Sequence, residues 1–230
     1  MLQYYIICAV VGYLIGSIPF GYIIVRLVKG IDIRTVGSGN IGATNALRIL
    51  GWPLGILVFV LDSVKGIVAM LLSSIIVGPV VIPLCATSAE FIKEITLHDA
   101  ENIIAIGGLS AIIGHLFPIY LKFKGGKGVA TALGVFIVLI PTPTLITLGC
   151  WILLVIISRI ISYASILSSI ILPSTYVLID KPEKWTALLI ISMLVPILII
   201  TKHIPNIKRL IAGTEPKVNF RRSKDDKIDS

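Results

Sequence analysis

Residues 128–157 read GVATALGVFIVLIPTPTLITLGCWILLVII, and the organisation of the whole chain turns on them. The stretch carries no charge. As one α-helix its thirty residues would be about 45 Å long, against a hydrocarbon core of about 30 Å. Pro141 and Pro143 stand in its middle, and proline breaks a helix by removing a donor and clashing with the preceding turn. The stretch is therefore expected to be two short helices that meet at the prolines.

The other apolar stretches approach the length of one crossing, roughly 20 residues. They fall at about 3–25, 52–77, 103–121, 163–178 and 185–201. Composition agrees with this reading. Of 230 residues, 56% are hydrophobic and 14% charged, where soluble domains carry about a quarter charged. Mean hydropathy is +1.00. The chain is expected to be an all-α integral membrane protein with seven transmembrane helices. Residues 1–217 would form one domain, and 218–230, which alternate in charge, a disordered tail. The start, Met1 to Tyr5, lacks the basic segment of a cleaved leader. Cys8, Cys85 and Cys150 are far apart and lack metal or disulfide spacing, so they read as small apolar residues.

Charge tests the count of seven. With the N-terminus outside, sixteen Lys and Arg fall on one side of the membrane and Lys93, Lys181 and Lys184 on the other. Positive residues stay cytoplasmic. The expected orientation therefore puts the N-terminus outside and the C-terminus in the cytoplasm. Without a break at the prolines, the basic tail would fall outside. Residues 78–102 are the least regular part, expected as an interfacial helix after a proline-broken entry. Within the second span, Asp62 and Lys65 are three apart and share a helix face. They form either a structural ion pair or part of a polar site near the membrane surface. Gly12 and Gly16 read as a small-residue helix contact, and Pro19 as a bend.

Three polar islands then share the cytoplasmic face. In the first, GSGNIGATNALR at 37–48, Ser38 or Asn40 can cap a short helix. That helix would present Thr44, Asn45 and Arg48 together. Glycines let a backbone approach a ligand closely, and backbone N–H groups at a helix start attract anions. A guanidinium among neutral donors suits a phosphate. Ser38 and Arg48 are candidate catalytic residues, and Gly39, Asn40, Gly42, Thr44 and Asn45 candidate substrate ligands. The alternative is a capped interfacial turn with a snorkelling arginine.

In the second island, GHLFPIYLKFKGGKGVAT at 114–131, Lys122, Lys124 and Lys127 bracket Gly125 and Gly126. Lys127 is a further catalytic candidate, and Gly125, Gly126 and His115 further substrate ligands. The spacing is not that of a Walker A loop, because Gly128 follows Lys127. In the third, His203 and Asn206 are three apart, though Pro205 strains the geometry. His203 is the best-placed group to move a proton or hold a hydroxyl, and Asn206 a substrate ligand. No HxxxxD pattern, GxSxG elbow or acidic metal cluster is present, so no metal or cofactor is expected.

With these residues in hand, the chain resembles the bacterial membrane acyl-phosphate:glycerol-3-phosphate acyltransferases. The likeness rests on GSIPFG at 16–21, the first island, Asp62 with Lys65 and Gly66, the second island, and the series His203, Asn206, Arg209, Gly213, Glu215. The resemblance implies seven transmembrane helices in a cell membrane and a site facing the cytoplasm. It implies transfer of a fatty acyl group from acyl phosphate to the 1-hydroxyl of glycerol 3-phosphate, giving lysophosphatidic acid and phosphate. The donor is then no acyl-CoA or acyl carrier protein thioester. The family's soluble supplier of acyl phosphate becomes an expected partner alongside membrane lipid, and nucleic acid does not. Such a donor is already activated, so no covalent nucleophile is required; an acyl-enzyme on Ser38 is the competing scheme. The rival function is an anion transporter or lipid flippase, which needs polar access from both faces.

Overall fold

The computed structural model describes residues 1–86, 97–182 and 186–219, and these are helical with no strand among them. The helices are α1 (Leu2–Gly16), α2 (Phe20–Lys29), α3 (Ala43–Leu50), α4 (Trp52–Ala86), α5 (Leu97–Leu116), α6 (Val129–Leu139), α7 (Pro141–Ser158), α8 (Ile161–Asp180), α9 (Ala187–Lys202) and α10 (Ile204–Ile211). Among the described residues, five spans are long and apolar enough to cross a membrane: Leu2–Lys29, Trp52–Gly78, Asp99–Leu121, Pro141–Ser158 and Ile161–Asp180. The pair Ala187–Lys202 and Ile204–Ile211, bent by 60° at His203, makes a sixth when the two are counted as one span. The chain is a multi-pass membrane protein.

The stretch at 128–157 does divide. Helix α6 ends at Leu139, and Pro141 opens α7 in its first turn, where a missing N–H leaves no bond unmade. Helix α6 has only 11 residues, roughly 16 Å, and is shorter than the hydrocarbon core. Pro19 likewise separates α1 from α2 inside one span. The expected proline break before residue 86 does not occur: the backbone of α4 stays helical through positions 79 and 83. Membrane helices tolerate such prolines when freed backbone groups find other partners. The expectations for 87–96, 183–185 and the tail from 220 fall outside the described residues.

Lipid tails are as apolar as leucine, so helices in a bilayer associate by close packing and polar contacts rather than by hydrophobic burial. Both are present. Gly12 and Gly16 of α1 lie against the backbone of Gly107 and Ala111 in α5, with no space for a Cβ. Gly134 of α6 lies in the same way on Ser63 of α4. Met70, Ile112, Phe136, Leu172 and Val195, one each from α4, α5, α6, α8 and α9, form the central cluster. Cys8 is buried, which fits a small apolar residue, and Cys150 is half-buried. Leu178 and Ile157, each 72% exposed, lie on the outer surface, as side chains that face lipid do.

Candidate active site

At one end of the bundle, a cavity of about 260 Å³ is lined by residues from all three islands. The first island reaches it through a loop shaped by Asn45. The Asn45 amide is buried; its Oδ1 accepts from the Ser38 N–H at 2.9 Å. Its Nδ2 donates to the carbonyls of Ile33 at 3.2 Å and Val36 at 3.0 Å. Gly37 takes a positive φ of 63° directly over this amide, where a side chain would collide with Oδ1. Asn45 lines the cavity but its hydrogen-bonding groups are turned into the loop, so it presents Ser38 rather than an amide of its own.

Neither Ser38 nor Asn40 caps α3. The helix starts after Gly42, which makes no side-chain cap bond, and Asn40 Oδ1 accepts the Gly42 N–H at 2.9 Å in the turn before it. The first N–H groups of a helix have no partner within it. Those of Ala43 and Thr44 belong to residues that line the cavity. Thr44 and Arg48 line it too, one turn apart on α3. Among the described residues, Ser38 Oγ has no hydrogen-bonded base.

The second island contributes Lys127 but not Gly125 or Gly126. Gly125 and Gly126 line no part of the cavity; they pack against His115, whose carbonyl accepts the Gly126 N–H at 3.0 Å. A side chain at Gly126 would run into the imidazole. These glycines therefore allow close approach to a histidine rather than to a ligand. Gly39 is also off the cavity wall, at a positive φ of 68° in the turn after Ser38. Lys122 and Lys124 are exposed. His115 lines the cavity, but its Nδ1 lies 2.9 Å from Lys65 Nζ, and Lys65 pairs with Asp62 at 2.7 Å. Asp62, Lys65 and His115 form one buried network. The Asp62–Lys65 ion pair is thus present and also borders the site.

The third island starts where α9 gives way to α10. Pro205 does not strain this segment. It lies in the first turn of α10, where proline is suited to start a helix. His203 is buried at the bend; its Nδ1 lies 2.8 Å from the Ile199 carbonyl. A carbonyl only accepts, so Nδ1 carries the proton and Nε2 is the acceptor of a neutral ring. Lys127 Nζ donates to Asn206 Oδ1 at 2.5 Å, and Asn206 Nδ2 to Glu215 Oε1 at 2.6 Å. Ser162 Oγ and Arg209 Nε also donate to the Glu215 carboxylate, each at 2.7 Å.

This network sets the local charges. Burial acts to raise the Glu215 carboxyl, but the hydrogen bonds from Asn206, Ser162 and Arg209 outweigh it and hold it below its usual range. Burial, aided by the nearby Arg209 and Arg48 and opposed by Glu215, brings the Lys127 ammonium down to about 8. Sequence reading did not single out Ser162 or Glu215 as site residues. Glu215 stands in the third-island series that carries the resemblance, without a site role there, and Ser162 only at the end of a short break; the fold joins the two across 53 positions.

The chain also compares closely with known proteins. A family model described as Glycerol-3-phosphate acyltransferase matches residues 6–213. A glycerol-3-phosphate acyltransferase of Prochlorococcus marinus (strain NATL2A) is 41% identical over 208 residues, 90% of this chain and 94% of that protein. One from Macrococcus caseolyticus (strain JCSC5402) is 41% identical over 212 residues, 92% of this chain and 96% of that protein. Among solved structures, PlsY (YgiH), an integral membrane glycerol 3-phosphate acyltransferase, superposes in its glycerol 3-phosphate form with a TM-score of 0.77. The match is 35% identical and covers 94% of this chain and 96% of that one. Its lysophosphatidic acid form gives a TM-score of 0.75 at 34% identity, covering 94% and 95%. On these matches over nearly its whole length, the chain belongs to the glycerol-3-phosphate acyltransferase family.

Proposed function

We propose that this protein transfers a fatty acyl group from acyl phosphate to the 1-hydroxyl of glycerol 3-phosphate, giving lysophosphatidic acid and phosphate in phospholipid synthesis. The observation that carries this reading is one cavity bordered by Arg48, Lys127, His203 and Asn206 and by Ala43 and Thr44 in the first turn of α3, set at the end of an apolar bundle. Cations and neutral donors predominate there, as two phosphate-bearing substrates require.

In the proposed reaction, Ser38, Asn40, the backbone at Gly42, Thr44 and Arg48 hold the donor's phosphate. Asn45 acts by keeping Ser38 in place, and Gly125 and Gly126 by seating the Lys127 loop on His115. Lys127, His203 and Asn206 position glycerol 3-phosphate, and apolar grooves between helices take the acyl chain. The 1-hydroxyl oxygen attacks the acyl carbon, the bond from that carbon to the phosphate oxygen breaks, and the hydroxyl proton leaves with phosphate or to His203 Nε2. Holding the reactants together supplies several kcal/mol of the rate enhancement. The lack of a base on Ser38 Oγ among the described residues favours direct transfer over an acyl-enzyme.

The domain spans residues 1–217 and crosses the membrane seven times, α6 being a short crossing. The N-terminus lies outside and the site faces the cytoplasm. The distribution of Lys and Arg supports this arrangement. A soluble enzyme that makes acyl phosphate would supply the donor. Purified protein given radiolabelled glycerol 3-phosphate and palmitoyl phosphate should form labelled lysophosphatidic acid, and should not do so with palmitoyl-CoA. A folded preparation that makes no such product from palmitoyl phosphate overturns the assignment.

A further inference from the structure

A second cavity of about 70 Å³ lies between α4, α6, α7, α8 and α9. It shares four lining residues with the first: Phe59, Val129, Trp151 and Ser165. The Phe59 and Trp151 rings are stacked, with centroids 6.1 Å apart and planes at 17°, and Trp151 Nε1 is held by Ser165 Oγ at 3.1 Å. The aromatic pair therefore forms the wall common to both cavities. From Ser165, α8 runs along the second cavity to Leu172, roughly 10 Å further on.

The wall contains five hydroxyl residues, yet four of them are engaged within the protein. Thr144 donates to Ile140 O at 2.7 Å, Thr147 pairs with Thr175 at 3.3 Å, Ser165 accepts from Trp151, and Ser169 donates to Ile166 O at 2.7 Å. Ser168 is the exception: it is 7% exposed, and its Oγ has no hydrogen-bond partner among the described residues. A serine with no bond to make adds little structurally beyond its small size. Leucine would be the ordinary residue on such a face, and it would fill the space.

We infer that this chamber receives the distal methylenes of the acyl donor, that Ser168 keeps it open and Leu172 closes its end, and that these two residues set acyl-chain length. The inference rests on the acyltransferase reading, since the occupant is the tail of a donor whose phosphate sits in the first cavity. Selection is by volume: a methylene that no longer fits loses its burial, about fourfold in kcat/KM each.

The test compares decanoyl and palmitoyl phosphate with the full-length protein. Ser168→Leu should lower kcat/KM for palmitoyl phosphate about fifteenfold relative to decanoyl phosphate, the loss of roughly two buried methylenes. Ser168→Ala, which keeps the space, should leave that ratio at the wild-type value. Leu172→Ala should raise the ratio of octadecanoyl to decanoyl phosphate, and it decides the matter if the leucine variant does not fold. A folded Ser168→Leu protein with an unchanged ratio overturns the inference. A separate measurement does not depend on turnover: palmitoyl phosphate with a terminal diazirine should cross-link to α8 near Leu172 or to its neighbours in α6, α7 and α9. Cross-links there without any lysophosphatidic acid formed would leave the chamber standing and remove the acyltransferase reading. Cross-links confined to the outer surface would remove the chamber.

Discussion

Two lysines, Lys65 and Lys127, differ in how their donors are used: Lys127 lines the cavity, and Lys65 lies behind Asp62 and His115, which line it. An ammonium has three N–H donors. Lys65 has a close partner for each: it donates to the Ile18 carbonyl at 2.9 Å and to His115 Nδ1 at 2.9 Å, and it is ion-paired with Asp62 Oδ1 at 2.7 Å. The Ile18 carbonyl is a backbone group freed by the break at Pro19. Lys127 makes one hydrogen bond among the described residues, to Asn206. The first lysine is therefore complete within the fold, tying the α1–α2 break to α4 and α5. The second keeps two donors for a ligand. Counting donors separates a cation that holds the structure from one that meets a substrate, where residue type and burial alone do not.

The largest effect should come from disrupting the closed network. Asp62→Leu strands the Lys65 ammonium, and removing one partner of a buried pair costs about 3–5 kcal/mol. Thermal unfolding in detergent should show a large fall in stability, with most of the protein lost during purification. Asp62→Leu with Lys65→Met replaces both charges and should recover much of that loss. A single Asp62→Leu variant that melts with the wild type would mean the pair holds nothing.

Breaking the open side should instead spare the fold. Arg48→Ala removes the one guanidinium of the first island from the cavity edge and should lower kcat/KM about a hundredfold, the usual loss for a donor aimed at developing charge. Its melting temperature should stay within a few degrees of the wild type. Normal turnover in this variant would remove the phosphate role given to Arg48.

Lys127 permits a finer test through pH. Its folded pKa is brought down to about 8, so it is cationic below that pH and loses its charge above it. Phosphate monoesters are already dianionic above about pH 6. Affinity for glycerol 3-phosphate should therefore fall as pH rises past 8, by up to roughly tenfold between pH 7 and pH 9 for a single proton. Lys127→Arg, which stays charged, should give a flat KM over the same range. A wild-type KM that does not move between pH 7 and pH 9 would place Lys127 away from the substrate.

These contrasts were only partly legible in the sequence. Proline positions and charge spacing act locally, so the break at Pro141 and the shared face of Asp62 and Lys65 could be read directly. The gathering of three islands at one end followed from span counting. What could not be read was which partner each polar group would choose. Asn45 meets backbone carbonyls nine and twelve positions away, and Lys127 meets Asn206 across 79 positions. Such pairings depend on how helices dock, and docking here follows glycine contacts whose register a single sequence does not reveal. The same limit explains why Gly125 and Gly126 read as ligand contacts when their close neighbour is His115.

The smallest effect is expected at Asp32, and it completes the comparison because its geometry nearly matches that of Asp62. Asp32 lies 2.6 Å from Arg34, as close as Asp62 lies to Lys65, but the two side chains are 26% and 33% exposed rather than 2%. Hydrogen bonds from Arg34 hold the Asp32 carboxyl down at about 2. A depressed carboxyl contributes stability that is present above its unfolded pKa near 3.9 and is lost as pH falls through about 2. Solvent screens most of that contribution, as it does for surface ion pairs in general. Asp32→Asn removes the charge while keeping an oxygen that can still accept the Arg34 N–H, so it should cost less than about 1 kcal/mol and the cost should shrink with added salt. Equal destabilisation by Asp32→Asn and Asp62→Leu would show that ion-pair distance, and not the completeness of buried partners, ranks the charges of this protein.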